Sequence, residues 1–295
     1  MTGERISMEK AVSNRLVTRI WQLAKDTGYG FVEDEALTRG AAIAFYTATS
    51  IAPVLLIAIA IAAVVFGQDA AQNAITSQLG GLMGDQAAQL LQTAVANAAQ
   101  KSSGTVATIV GVVTLVLTAS GAFGEMQSAL NVIWKAKLTG TTFSRLVKAR
   151  IISLGLVAAL GFLLLVSLVV SAALAAFGNE LNAILPFGSS ILSAVNLVVS
   201  FVLISILFAA IYKFVPDRPS AWRDVILGAM VTTALFTAGK SLIAVYIGRT
   251  ATVSSYGAAG ALLALLLWVY YSAQIFLLGA EFTKAYANSR KRDVG

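Results

Sequence analysis

The chain has 295 residues, of which 58% are hydrophobic and 12% are charged, and its formal net charge is +7. Soluble globular proteins are about 25% charged, so this composition excludes a water-soluble fold and indicates an integral membrane protein. Histidine and cysteine are both absent. Their absence excludes a disulfide framework, a His or Cys zinc site and a Ser-His or Cys-His nucleophile.

The N-terminal segment, residues 1–40, combines apolar and basic residues. Apolar side chains recur at helical spacing from Met8 to Leu23 while Arg and Lys take the other faces, which predicts an amphipathic helix over residues 4–25. This helix is expected either to lie at the cytoplasmic membrane interface or to pack on the cytoplasmic ends of a helix bundle. The sequence Thr-Gly-Tyr-Gly at residues 27–30 predicts a turn.

Six apolar runs follow, and together they contain a single charged residue, Lys240. Each run has 20–27 residues, and about 20 helical residues cross a bilayer core of about 30 Å. The runs do not alternate apolar with polar residues as barrel strands do. They predict an all-α fold, an integral membrane bundle of six transmembrane helices with interfacial amphipathic helices, in a single domain over residues 1–295. The runs are residues 41–66, 104–123, 151–177, 190–212, 225–247 and 257–280.

Two of the segments between the runs carry structural signals. In residues 67–103, short apolar stripes separated by glycines predict two amphipathic helices on the periplasmic surface. Between the fourth and fifth runs, Pro216 and Pro219 are expected to end the fourth helix, because a proline ring removes a backbone donor.

Basic residues are distributed unevenly between the two sides of the predicted bundle. The flanking segments 1–40, 124–150, 213–224 and 281–295 hold 18 Lys and Arg residues, whereas the opposite flanks hold two. Cytoplasmic loops carry the excess of basic residues in membrane proteins, so both termini are expected in the cytoplasm. The same bias accounts for the net positive charge, and nucleic acid is therefore not an expected partner.

Pro53 lies in the middle of the first span and is expected to kink it. Thr49 and Ser50 carry hydroxyls that can bond the carbonyl groups freed by a proline. Broken helices line the cavities of many transporters, although a purely structural kink is the alternative.

Lys240 lies towards the outer end of the fifth span. It is expected either to extend its ammonium group to the outer interface or to face a buried anion or carboxylate.

Glu125 and Glu281 each follow a span that runs towards the cytoplasm, where a carboxylate opposes the helix dipole. At least one of them is expected to face the bundle interior and to bond a basic residue or backbone donor of another segment. The alternative for Glu281 is a local ion pair with Lys284, three residues further on. The candidate pathway or gate residues are Tyr46, Pro53, Glu125, Lys240, Gln274 and Glu281.

Three motifs give the chain a resemblance to a known family. They are residues 40–53 (GAAIAFYTATSIAP), residues 131–134 (NVIW), and residues 256–281, which contain YGAAG, LWVYYSAQ and GAE in that order. Together they resemble the YihY/virulence factor BrkB family over about residues 20–287.

The resemblance implies a bacterial inner-membrane protein with six helices and cytoplasmic termini. Members of the family are described variously as permeases, lipid-handling proteins, and virulence or serum-resistance factors, and they were once labelled ribonuclease BN. A zinc-dependent ribonuclease needs clustered histidine ligands, and this chain has no histidine, so no nuclease activity is expected. The resemblance supplies no catalytic residue, and no enzymatic activity, cofactor or metal is expected.

Two functions from different classes remain. The leading one is a membrane permease or lipid-handling transporter without its own ATPase, since the chain has no phosphate-binding loop. The alternative is a non-transporting membrane scaffold or envelope-integrity factor. Membrane lipids are the expected partners, and self-association stays open. A polar cavity open to one leaflet would favour transport, whereas a bundle packed without one would favour the scaffold.

Overall fold

The structure is a computed structural model that describes residues 2–67, 69–73, 92–93, 121–136, 155, 166, 188–218, 220–249 and 257–294. The described residues form helices and short connections and contain no strand, which confirms the all-α class. The helices named below are α1 (Thr2–Glu33), α2 (Ala36–Phe66), α3 (residues 121–133), α4 (Gly188–Phe214), α5 (Trp222–Arg249) and α6 (Gly257–Val294).

Three of the described helices are long and apolar enough to cross a membrane. The candidate spans are Ala194–Phe214 in α4, Trp222–Ile243 in α5 and Leu263–Arg292 in α6. They correspond to the fourth, fifth and sixth predicted runs, and α4 ends at Phe214 just before the two prolines, as predicted.

The other predicted segments are described less completely. Run 41–66 lies inside α2, which is one unbroken helix. Runs 104–123 and 151–177 fall almost wholly outside the described residues, as does most of the predicted periplasmic segment 67–103, in which residues 69–73 and 92–93 are helical.

The surface of α4 is suited to lipid rather than to water. Only 6% of its candidate span is buried, and the large side chains that it exposes are apolar, among them Val198, Val202 and Ile206. An exposed apolar face of this length is typical of a helix that contacts acyl chains.

The turn between α1 and α2 consists of Asp34 and Glu35. Helix α1 confirms the helix predicted over residues 4–25 and extends it by eight residues at its C-terminal end, to Glu33. The turn predicted at residues 27–30 was therefore wrong. The chain instead breaks at Glu35, whose φ of 53° lies in the left-handed region.

Helix α6 is the central element of the described bundle, because it packs against α1, α2 and α5, while α4 packs against α5. In the core, the rings of Tyr212 and Phe276 stack with their centroids 5.4 Å apart. The buried Tyr212 hydroxyl donates to the Phe276 carbonyl at 2.7 Å and lies 3.0 Å from the Thr232 hydroxyl. These bonds tie α4 to both α5 and α6.

Helices α5 and α6 approach closely through two glycine–threonine pairs. Gly228 lies against the Thr283 hydroxyl, and Gly279 lies against the Thr232 hydroxyl, so closely that a Cβ at either glycine would overlap the hydroxyl oxygen. Each threonine donates to the carbonyl of the glycine four residues before it, at 2.7 Å in α5 and 2.6 Å in α6. The contact is reciprocal because both helices carry Gly-x-x-x-Thr, and such small residues permit close packing in membranes.

Candidate functional site

The segment between α4 and α5 is fixed against the end of α3 by side-chain hydrogen bonds. The Asn131 amide donates to Asp217 Oδ2 at 2.8 Å, and its Oδ1 accepts the Asp217 backbone N–H at 2.8 Å. Gln127 adds a longer bond to the same carboxylate at 3.4 Å. Arg218 donates to the Trp134 carbonyl at 2.8 Å. We use the name "basic end of the bundle" for the region where residues 215–218 and 220–221 meet residues 284–291 of α6.

A cavity of about 390 Å³ lies at the basic end. It is bounded by the end of α3, the segment before α5, the first turn of α5 and the C-terminal turns of α6. Its wall is strongly basic among the described residues, with five cationic side chains and one carboxylate. These residues are Lys135, Arg218, Lys284, Arg290, Lys291 and Asp224.

Three side chains on the cavity wall have a buried polar atom that bonds no residue within the described part of the chain. The atoms are Trp134 Nε1, Ser220 Oγ and Asp224 Oδ1. Their residues are 7%, 8% and 3% exposed, respectively. The other Asp224 oxygen, Oδ2, accepts from Arg290 Nη2 at 3.1 Å. The cavity therefore presents two unused donors and one unused acceptor in addition to its charges.

A buried charged cluster adjoins the cavity. Lys284 Nζ lies 2.8 Å from Asp34 Oδ2 and 3.2 Å from Glu281 Oε2. Glu281 is 1% exposed, and its carboxylate lies against the backbone of Gly30 in α1. A second cavity of about 210 Å³, between α1 and α6, is lined by Gly30, Glu281 and Lys284. Lys284 thus lines both cavities.

The cluster confirms one part of the prediction for Glu281 and changes another. The carboxylate faces the bundle interior, as predicted. Its basic partner, however, is Lys284 of the same helix, the local pair named as the alternative, and not a residue of another segment. The link to another segment is made by Lys284, which bonds Asp34 in the turn between α1 and α2. The second predicted residue, Glu125, is half-buried in α3, and no ion pair joins it to another described residue.

Gln274 and Tyr46 lie at helix contacts away from the cavity. Gln274 packs on Gly40 of α2, and its Nε2 donates to the Leu37 carbonyl at 3.4 Å. The Tyr46 ring would meet a Cβ placed on Gly121. Each residue therefore joins α2 to a neighbouring helix.

Lys240 and Pro53 also lie apart from the cavity. Lys240 is half-buried in α5. Helix α2 continues through Pro53, and the nearby hydroxyls do not bond the Thr49 carbonyl that the proline frees. The Thr49 hydroxyl instead donates to the Phe45 and Tyr46 carbonyls, and the Ser50 hydroxyl donates to the Thr47 carbonyl.

Several residues of the basic end were missed by the sequence analysis. Asp34, Asp217 and Asp224 each stand beside a span end, and the sequence analysis gave none of them a hydrogen bond or an ion pair. The sequence did offer a signal for them. An Asp in a segment rich in Lys and Arg beside a span predicts an ion pair at that place. Trp134 and Asn131 had been noted only as part of the motif at residues 131–134.

Comparisons with known proteins agree with this picture of a membrane bundle. The sequence profile of the family Virulence factor BrkB matches residues 27–294. The chain belongs to this family. It is therefore a BrkB-family membrane protein, and the three motifs quoted above lie within the matched range or at its start. No solved structure matches the chain.

Three curated relatives of this BrkB-family chain are each named as a UPF0761 membrane protein. A UPF0761 membrane protein of Ralstonia nicotianae is 35% identical over 175 residues, which is 59% of this chain and 38% of the relative. One of Mannheimia succiniciproducens is 28% identical over 265 residues and 88% of both chains. The UPF0761 membrane protein YihY of Salmonella typhimurium is 34% identical over 62% of this chain and 61% of its own length. The matches thus span less than two thirds of two of these relatives.

Proposed function

We propose that the protein is a lipid-handling transporter of the bacterial inner membrane, with six transmembrane helices and both termini in the cytoplasm. The observation that carries this proposal is the cavity of about 390 Å³, with charged side chains on its wall, at the ends of the candidate spans. The excess of basic residues in the flanking segments supports a cytoplasmic position for the basic end. Without a phosphate-binding loop in the sequence, transport is passive, coupled to an ion or driven by a partner.

The charge and packing of the basic end favour this function over a scaffold. A buried ion pair is costly to desolvate, and the lining of an empty space forfeits packing contacts. A bundle that serves only as a scaffold needs neither feature. A lipid needs both a polar space for its headgroup and an apolar surface for its acyl chains, and the exposed face of α4 supplies the second.

Reconstitution tests the proposal. The protein is placed in liposomes that contain a phospholipid with a fluorescent headgroup, and a membrane-impermeant reductant quenches the outer leaflet. The expected result is quenching beyond the outer-leaflet fraction seen in protein-free liposomes. Ala221→Trp, at an exposed alanine on the cavity wall, should slow this exchange. Ala41→Trp, at an exposed alanine of α2 outside the cavity lining, should not.

A wild-type protein that gives the same quenching as empty liposomes would contradict transport of that phospholipid. If transport is also absent with a lipid extract of a bacterial inner membrane, the scaffold or envelope-integrity function takes its place. Equal rates for Ala221→Trp and Ala41→Trp would show that the cavity is not on the pathway.

A further inference from the structure

We infer that the cavity at the basic end binds a phosphate group through Trp134 Nε1–H, Ser220 Oγ–H and the cationic side chains of Arg218 and Lys291. The inference deepens the proposed function and rests on it in one respect, namely that the phosphate belongs to a lipid headgroup. Phosphate chemistry itself is argued from the cavity wall alone.

The two unpartnered donors are the first reason. Trp134 and Ser220 are more than nine-tenths buried and line the same cavity, and the Nε1 of one and the Oγ of the other bond no residue that the structure describes. Leaving a buried donor unsatisfied destabilises the fold, because the group loses its bond to water and gains none in return. An indole N–H can only donate, so its partner must be an acceptor. Water could serve one neutral donor, but it gives no reason for the surrounding charge.

The uncompensated positive charge is the second reason. Arg290 is paired with Asp224, and Lys284 is held between Glu281 and Asp34. That leaves three further cations on the described wall. Lys135 has only a 3.7 Å contact with Glu33 in which both side chains are more than 60% exposed, and such pairs contribute little. Arg218 uses Nη1 for the Trp134 carbonyl and retains donors for a tetrahedral anion. Lys291, the third, is exposed at the rim.

Size and position are the third reason. The volume of about 390 Å³ lies in the range of roughly 300–1,000 Å³ that small-molecule sites occupy. Basic pockets between transmembrane helices at the cytoplasmic side suit anionic headgroups. Asp224 does not oppose an anion here, because Arg290 neutralises it. Its free Oδ1 can accept a hydrogen bond from a protonated phosphate oxygen or from an ammonium group on the same headgroup.

Native mass spectrometry of the full chain in detergent tests the inference with three named probes. Dioleoyl phosphatidic acid carries a phosphate monoester, dioleoylglycerol is the same lipid without the phosphate, and inorganic phosphate is the free form. The test variant is Trp134→Phe/Ser220→Ala, which removes both donors and keeps an aromatic ring at residue 134. The matched control is Trp21→Phe/Ser272→Ala, at an exposed tryptophan of α1 and at a serine whose hydroxyl donates to the Trp268 carbonyl of its own helix.

The expected result is saturable retention of one phosphatidic acid by wild type and by the control, with weak retention of dioleoylglycerol. Loss of a hydrogen bond to an anion corresponds to about a tenfold loss of affinity, and the test variant should lose at least this much. One outcome is that inorganic phosphate displaces the lipid, so that phosphatidic acid then binds no better than dioleoylglycerol. In that case the phosphate that the cavity binds is free phosphate. If excess inorganic phosphate leaves the lipid bound, the source is the headgroup.

Equal retention of phosphatidic acid and dioleoylglycerol with no effect of inorganic phosphate would overturn the inference, as would unchanged affinity in the test variant. If that variant is not recovered folded, Ser220→Ala alone gives the same comparison. If the protein binds phosphate but does not exchange lipid in liposomes, the transporter proposal is contradicted and the phosphate site is retained. If it exchanges lipid but shows no selectivity for phosphate, the phosphate site is contradicted and the transporter proposal is retained.

Discussion

The backbone of Gly30 in α1 lies directly against the carboxylate of Glu281 in α6. Any side chain at residue 30 would occupy the space of Glu281 Oε2. The contact brings α1 close enough for Lys284 to reach Asp34 in the turn after α1. A glycine therefore sets the geometry of the buried charged cluster beside the cavity.

Gly30→Ala should destabilise the protein although alanine is the better helix former. The added methyl group must displace Glu281, and overpacking of this kind costs about 1–3 kcal/mol. Gly28 is the matched control, since a Cβ there meets nothing within 4 Å. Gly28→Ala should be neutral or should stabilise α1 by about 0.5–1 kcal/mol. Thermal unfolding in detergent measures both, and equal midpoints for the two variants would contradict the close contact.

Lys284→Met should be among the most damaging single changes at the basic end. It leaves the carboxylates of Glu281 and Asp34 together without their cation, and breaking a buried pair in this way costs about 3–5 kcal/mol. Adding Glu281→Gln should restore part of the loss, because it removes one of the two charges. Lys135→Met is the control, since its ion pair with Glu33 is largely exposed and is worth about 1 kcal/mol or less. The midpoint of thermal unfolding is measured for each variant. A double variant less stable than Lys284→Met alone would contradict the buried charged cluster.

Periodicity and charge were sufficient to predict the spans in α4, α5 and α6 but not the buried contacts between them. Long apolar runs bounded by basic residues have few structural alternatives, and α4, α5 and α6 appeared where those runs predicted. The turn predicted at residues 27–30 failed because Gly28 and Gly30 were interpreted as helix breakers. The packing of Gly30 on Glu281 joins residues 251 positions apart, and local patterns carry no information about such a contact.

Asn131→Ala should loosen the segment before α5. It removes both the donor to the Asp217 carboxylate and the acceptor for the Asp217 backbone N–H, and such losses cost about 1–3 kcal/mol. Gln127→Ala removes one longer bond to the same carboxylate and should cost clearly less. Hydrogen exchange of residues 214–218 is the measurement. Protection that is unchanged in Asn131→Ala would contradict the role given to this amide.

The orientation of the bundle can be tested with single cysteines, because the chain has none of its own. A cysteine at Gln92 should react with a membrane-impermeant maleimide in intact spheroplasts, since its segment is predicted to be periplasmic. A cysteine at Gln22, which is exposed on α1, should react only after permeabilisation. The reverse pattern would invert the predicted topology and move the basic end to the outside.

The candidate site was only partly predictable from the sequence. Glu281 was found because a carboxylate at the end of an apolar run opposes the helix dipole. The cavity wall was not found, because it combines Trp134, Ser220 and Asp224 from separate segments that only the fold brings together. The reciprocal Gly-x-x-x-Thr motifs of α5 and α6 were visible in the sequence, yet their pairing depends on the antiparallel arrangement of the two helices.

A high-resolution structure of the protein in nanodiscs of bacterial inner-membrane lipid tests the central claim, lipid handling at the basic end, most directly. The account predicts density for a phosphate group within hydrogen-bond distance of Trp134 Nε1 and Ser220 Oγ, continuing as acyl chains towards the apolar face of α4. A cavity that holds only water, with lipid ordered elsewhere along the bundle, would contradict it.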